Sequence, residues 1–111
     1  MIVFDSRGLH AVIVPADELH EQAVSCFREA VDQDAAWTTS FALAELDRRL
    51  VGLSNEDRRS VLERALGGLE IVWVGPELLR RAVRHIQGDE TVERTIARLI
   101  AGELEGRCFP P

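Results

Sequence analysis

The sequence predicts an α/β protein in which a small parallel β-sheet is flanked by helices on both faces. The first observation is three short runs rich in apolar and β-branched residues, at 2–4, 35–39 and 69–74. Such runs suit strands that are buried in a sheet. The second observation is that helical patterns of apolar residues separate these runs. This alternation favours parallel strands joined by right-handed crossovers.

The length of 111 residues suits one domain, spanning 1–111, with one proper core. A content of 46% hydrophobic and 29% charged residues is ordinary for a soluble globular protein. No apolar run approaches the roughly 20 residues needed to cross a bilayer, so we expect a cytoplasmic protein with no membrane contact. Cys26 and Cys108 have no metal-type spacing, and reduced thiols are expected.

The formal net charge of −6 counts against a general affinity for nucleic acid, which normally depends on a basic surface. It does not exclude a nuclease, because divalent cations bound in an acidic site reverse the local field. Apart from histidine, every basic residue is arginine. Arginine is the better bidentate ligand for phosphate, but a uniform absence of lysine is more typical of codon bias than of a site.

The first predicted strand, 2–4, stops at Asp5, which is followed by Ser6 and Gly8. A carboxylate directly after a buried strand lies where open α/β sheets place their ligand crevice. Asp and Ser are also favoured helix N-caps. Two interpretations of Asp5 therefore stay open: a residue of a functional site, or the cap of the next helix.

Two helices are predicted between the first and second strands. Residues 8–14 predict a short buried helix closed by Pro15, although a strand is possible over so brief an apolar run. Asp17 is expected to cap a longer amphipathic helix. His20 lies in the first turn of that helix, and we interpret it as a surface or packing residue.

The helix predicted at 41–50, opened by Ser40, carries Glu45 among core-directed residues. A lone carboxylate there is costly unless it meets a cation or a hydrogen-bond network. The simpler interpretation is an ion pair within the helix, to Arg48 at i+3 or Arg49 at i+4. Both interpretations stay open.

The second half of the chain continues the alternation. Ser54 begins a capping-box pattern for a further helix. The strand at 69–74 is followed by Pro76 at a favoured first helical position. A last helix begins within 89–91, and 107–109 predicts a last short strand.

The predicted topology gathers acidic residues from three segments. The carboxyl ends of parallel strands meet at one edge of the sheet, so Asp5 is expected at that edge. Helices that start there deliver residues from their first turns, and 40–45 and 89–93 are such beginnings. We therefore expect the carboxylates of Asp5, Glu45 and Glu93 to converge.

Several motifs follow one another in a recognisable order over nearly the whole chain. The residues are Val3-Phe4-Asp5-Ser6 with Leu9, Thr39-Ser40, Leu43-Ala44-Glu45-Leu46, Leu69-Glu70-Ile71-Val72, Pro76-Glu77-Leu78-Leu79, and Glu93 ahead of Ile96-Ala97. This order resembles the PIN-domain family, including the VapC-type toxins. The Asp-Ser and Leu-Ala-Glu-Leu pieces are its most specific parts.

The resemblance implies a metal-dependent endoribonuclease that hydrolyses RNA phosphodiester bonds as the toxin of a toxin–antitoxin pair. It implies that Asp5, Glu45 and Glu93 are the catalytic residues and the ligands of Mg²⁺ or Mn²⁺. Mg²⁺ prefers oxygen ligands in octahedral geometry. Such ions lower the pKa of a bound water and stabilise an in-line displacement.

Further expectations concern substrate and partners. Ser6 and Ser40 are candidates for hydrogen bonds to a carboxylate or a phosphate oxygen. Arg7 is a candidate for contact with the scissile phosphate, with an incidental surface arginine as the alternative. The resemblance also implies an RNA substrate, an antitoxin protein as a partner, and a homodimer.

The sequence departs from the family pattern at two places. Glu93 stands where the family usually has Asp, and Pro110 and Pro111 follow the last predicted strand where a further Asp is expected. These departures leave a second hypothesis open, namely a catalytically degenerate PIN-like module with a protein- or RNA-binding role. An unrelated small α/β protein is the third.

Overall fold

The computed structural model describes residues 1–111 and has a four-stranded parallel sheet with the strand order β3-β2-β1-β4. The strands are β1 (Ile2–Phe4), β2 (Ala36–Thr39), β3 (Glu70–Val72) and β4 (Arg107–Phe109). The helices are α1 (Ser6–Ile13), α2 (His20–Asp32), α3 (Ser40–Arg49), α4 (Asn55–Gly68), α5 (Pro76–Arg84) and α6 (Val92–Glu103). The predicted α/β class is confirmed.

The central strand β1 separates two layers of apolar packing. Phe4 belongs to the layer formed with α1, α2, α3 and α4, where Leu46 is also fully buried. Its neighbour Val3 belongs to the opposite layer, where it packs with Ile96 of α6 and Ala82 of α5. Successive side chains of a strand point to opposite faces, so β1 is apolar throughout. The result is a three-layer arrangement of helices, sheet and helices.

Three helix starts differ from the sequence prediction, and β2 and β3 are shorter than predicted. α1 begins at Ser6, and 8–13 is helical, so the strand alternative is wrong. α2 begins at His20, and the prediction that Asp17 caps it is wrong because Asp17 instead accepts the Leu19 N–H at 2.9 Å. α3 is capped by Thr39, whose side chain accepts the Ala42 N–H at 3.0 Å.

None of the helices combines the length and apolar character that a membrane span needs.

Gly8 fixes how closely α1 approaches the edge strand β4. A Cβ atom at Gly8 would lie 2.3 Å from the carbonyl oxygen of Phe109. That oxygen also accepts the Asp5 N–H at 3.3 Å. Because backbone cannot move aside as easily as a flexible side chain, only glycine fits here without displacing β4.

We expect Gly8→Ala to lower the free energy of unfolding by about 1–3 kcal/mol, because the added methyl group forces α1 and β4 apart. Gly67→Ala is the matched control. It lies in α4 with nothing within 4 Å of the added Cβ, so it should stabilise the protein by up to about 1 kcal/mol. Urea unfolding followed by circular dichroism measures both. Equal effects of the two substitutions would contradict this role of Gly8.

Candidate functional site

A cleft of about 500 Å³ lies between α3 and the first turns of α1 and α6. We call it the α3–α6 cleft. It is at the edge of the sheet where β1 and β2 end, because α1 and α3 follow these strands directly. Nine residues line it: Ser6, Phe41, Ala44, Glu45, Arg48, Arg49, Thr91, Val92 and Glu93.

Asp5 lies beside the cleft but does not line it. Its side chain is buried, with 7% exposed, and both carboxylate oxygens have donors. Oδ1 accepts the Gly8 N–H at 2.8 Å, which makes Asp5 the N-cap of α1. Oδ2 lies 3.0 Å from Nη1 of Arg94. The same nitrogen donates to the Pro110 carbonyl oxygen at 2.8 Å. The cap interpretation of Asp5 is therefore confirmed, and the carboxylate is also ion-paired.

Glu93 is the most enclosed carboxylate that lines the cleft. The residue is 8% exposed, and its Oε1 accepts the Ser6 N–H at 2.9 Å. Burial raises the pKa of the Glu93 carboxyl, hydrogen bonds from Ser6 lower that pKa, and the nearby charge of Asp5 raises it further. The net direction is upward, because desolvation penalises the ionised form.

Glu45 lies on the exposed side of the cleft. Its side chain is 38% exposed, and its Oε1 lies 3.0 Å from Nη1 of Arg48. This is the i+3 ion pair that the sequence offered as the simpler interpretation. An exposed pair of this kind contributes at most about 1 kcal/mol to stability. The neighbouring Arg49 donates its Nε–H to Ser6 Oγ at 3.2 Å, so both Arg48 and Arg49 line the cleft.

Two of the predicted substrate-binding residues lie elsewhere. Arg7 forms an ion pair with Asp17 and lies 3.9 Å from Glu18. Ser40 Oγ accepts the Val74 N–H at 2.9 Å, just beyond β3. Neither residue lines the α3–α6 cleft. Ser6 does line it, so the structure brings Ser6, Glu45 and Glu93 together at one cleft and leaves Arg7 and Ser40 outside.

The carboxylates do not fit a ready-made metal site. No group of three or more His, Cys, Asp or Glu side chains is arranged to hold a metal ion. The oxygens of Asp5 are occupied by a backbone N–H and a guanidinium instead. The roles of Asp5, Glu45 and Glu93 as metal ligands and catalytic residues stay predictions.

Arg94 is the functional-site residue that the sequence analysis missed. It follows Glu93 directly, in the first turn of α6. The signal was available, because a helix predicted to deliver an acidic residue to the sheet edge also delivers its immediate neighbours. A cation on that turn is a natural partner for the buried carboxylate at the end of β1.

The geometry defines a PIN-like α/β fold with a polar cleft at the carboxyl edge of its sheet. Comparison with solved structures finds VapC20 of Mycobacterium tuberculosis, described as a toxin that cleaves the sarcin-ricin loop, with a TM-score of 0.70 and 15% sequence identity. The alignment covers 96% of this chain and 85% of VapC20. The similarity concerns the fold, and it confirms the resemblance at that level. No protein-family model and no curated protein sequence matches the chain.

The raised pKa of Glu93 predicts a pH-dependent stability. Above the ordinary carboxyl pKa of 4.5, the unfolded chain releases the Glu93 proton while the native protein retains it. The free energy of unfolding should therefore fall as pH rises from 4.5 to the native pKa. Glu93→Gln should remove this decrease, because an amide does not titrate. The amide oxygen can still accept the Ser6 N–H, so the local hydrogen bond is kept. Urea unfolding at a series of pH values measures it.

Glu90→Gln is the matched control for that series. The guanidinium of Arg98 lowers the pKa of the Glu90 carboxyl from 4.5 to about 2. Its contribution to stability is present above pH 4.5 and is lost as pH falls toward 2. Glu90→Gln should therefore change the slope of stability against pH only below pH 4.5, and above that pH it should lower stability by a constant amount. If Glu93→Gln leaves the slope above pH 4.5 unchanged, the carboxyl is not protonated as described.

Proposed function

We propose that the protein is a PIN-like module that binds single-stranded or looped RNA in the α3–α6 cleft. The observation that carries the proposal is that Arg48, Arg49 and the partly buried Phe41 line the same cleft. Arginine recognises phosphate bidentately, and an aromatic ring stacks an unpaired base. The fold likeness to VapC20, a toxin described by its cleavage of the sarcin-ricin loop, supports RNA as the class of ligand.

The distribution of charge limits where RNA can bind. The net charge is −6, so the contacts must come from a local group of arginines and should weaken steeply with salt. Arg49 is held toward the cleft by Ser6 Oγ. Arg48 has an exposed side chain bound only to Glu45, and an exposed ion pair is easily exchanged for a phosphate. Both arginines can thus meet a phosphate backbone at the cleft mouth.

We expect the double substitution Arg48→Ala/Arg49→Ala to weaken RNA binding about tenfold or more, because two charge-assisted phosphate contacts are lost. The salt dependence of the affinity should become shallower, by about 1 in slope for each phosphate contact removed. Fluorescence anisotropy with a labelled RNA hairpin, repeated at several salt concentrations, measures both quantities. Phe41→Ala should weaken binding with little change in slope.

Arg84→Ala is the matched control. Arg84 is exposed on α5 and does not line the cleft, while its removal changes the net charge in the same direction. The loss of binding free energy for each charge removed is compared between the two variants. If this loss is the same for Arg84→Ala as for the double substitution, the affinity is a general effect of charge. The cleft would then not be the RNA site.

A metal-dependent endoribonuclease, acting as the toxin of a toxin–antitoxin pair, is the second candidate function. It is favoured by Glu45 and Glu93 lining the same cleft, since one or two carboxylates with substrate phosphates are enough for Mg²⁺ or Mn²⁺. The predicted antitoxin partner and the predicted homodimer belong to the same candidate. Both stay predictions, as does a cytoplasmic location.

Cleavage of RNA with Mg²⁺ or Mn²⁺ present separates the two candidates. If the protein is a nuclease, Glu93→Gln and Glu45→Gln should each abolish cleavage. Asp47→Asn should not, because Asp47 pairs with Arg58 outside the cleft. If the RNA stays intact and its binding depends on Arg48 and Arg49, the protein is a binding module. Cleavage that survives both Glu substitutions points to a contaminant.

A further inference from the structure

The buried carboxylate of Asp5 requires a positive partner. The residue is 5% exposed at the end of β1, and an ionised carboxylate so placed is costly unless it is paired and hydrogen-bonded. One oxygen takes the Gly8 N–H at the start of α1. The other takes Arg94, which is the only ion-pair partner of Asp5.

The Arg94 nitrogen lies among oxygens that suit a hard divalent cation. Nη1 is 3.0 Å from a carboxylate oxygen of Asp5 and 2.8 Å from the Pro110 carbonyl oxygen. Carboxylate and carbonyl oxygens are the ligands that Ca²⁺, Mg²⁺ and Mn²⁺ accept. The guanidinium therefore bridges the ends of β1 and β4 from α6, with one nitrogen at the centre of the contact.

A second carboxylate binds the backbone directly after Asp5. Ser6 follows Asp5 in the chain, and its N–H donates to Glu93 Oε1 at 2.9 Å. Glu93 is itself the residue before Arg94. The guanidinium thus contacts Asp5 and the Pro110 carbonyl directly. Glu93 is held next to Asp5 through the Ser6 N–H, and Arg49 approaches Ser6 Oγ from the cleft side.

We infer that Arg94 is an internal cation that holds Asp5 in place of a divalent metal ion, and that removing its charge opens a Mn²⁺ site formed by Asp5, Glu93 and the Pro110 carbonyl. The inference is independent of RNA binding. It explains why the predicted acids do not gather as a free cluster: the chain already supplies the positive charge. Wild-type protein should therefore gain little from added Mn²⁺.

The test is a Mn²⁺ titration of thermal stability in wild type and Arg94→Met, which keeps an apolar stem but removes the charge. A ligand that binds only the native state raises the melting temperature. We expect a rise of about 5–10 °C for Arg94→Met when Mn²⁺ is far above its dissociation constant. For wild type we expect a rise of less than about 1 °C. Loss of the free Mn²⁺ signal in electron paramagnetic resonance should count one bound ion in the variant.

Two control variants assign the effect. Arg98→Met removes an arginine one helical turn further along α6, which is bound to Glu90 rather than Asp5, and it should bind no Mn²⁺. The double variant Asp5→Asn/Arg94→Met should lose the Mn²⁺ response of Arg94→Met. Equal Mn²⁺ binding by wild type would overturn the inference and favour the nuclease candidate. No binding by a folded Arg94→Met variant would also overturn it.

The inference can also be tested if Arg94→Met does not fold without a metal ion. If Arg94→Met is unfolded in metal-free buffer, Asp5 has lost its cation, and Mn²⁺ added during refolding should restore the native circular dichroism spectrum. Restoration supports the inference. A variant that stays unfolded with and without Mn²⁺ shows that Arg94 is needed for packing or for its bond to Pro110 instead, and the inference fails.

Discussion

The ion pair between Asp5 and Arg94 joins three segments that are far apart in the sequence. Asp5 ends β1 and begins α1, Arg94 lies in the first turn of α6, and the same guanidinium nitrogen reaches the carbonyl of Pro110 beyond β4. Removing Arg94 alone should be strongly destabilising, because it leaves the buried charge of Asp5 without a partner. The arrangement of the α1 and α6 ends, and with them the inner wall of the cleft, depends on this pair.

The protein's own carboxylates also occupy the amino end of α1. The N–H groups at a helix start have no partner within the helix and attract anions. Here Glu93 accepts the Ser6 N–H and Asp5 accepts the Gly8 N–H. A phosphate cannot bind these donors without displacing a buried carboxylate. In the RNA binding that we propose, the contacts would therefore come from Arg48, Arg49 and Phe41 on α3.

The architecture could be predicted from the sequence because it depends on local patterns. Apolar runs and helical periodicity predicted the order of strands and helices. The predicted cap at Ser54 and the predicted first helical position of Pro76 agree with the observed starts of α4 and α5. The exact partners of Asp17 could not be predicted this way. Its carboxylate binds Arg7 and His10 from α1, and such tertiary hydrogen bonds leave no periodic signal.

The site was harder to predict for a related reason. Sequence position placed Ser6, Glu45 and Glu93 near one edge, and they do line one cleft. Asp5 does not line the cleft because it pairs with Arg94. The Arg94 side chain reaches from α6 to the end of β1. The spacing of the acidic residues along the chain predicts that they lie near one edge of the sheet. It does not predict which of them forms an ion pair with an arginine.

A double-mutant cycle between Asp5 and Arg94 tests this account most directly. Asp5→Asn keeps a favoured helix cap, and Arg94→Met keeps the apolar stem, so the cycle isolates the ion pair. From urea unfolding at pH 7, we expect a coupling free energy of about 2–4 kcal/mol, with the double variant more stable than the sum of the single losses implies. A coupling within about 0.5 kcal/mol of zero would contradict the account, because the two residues would then act independently.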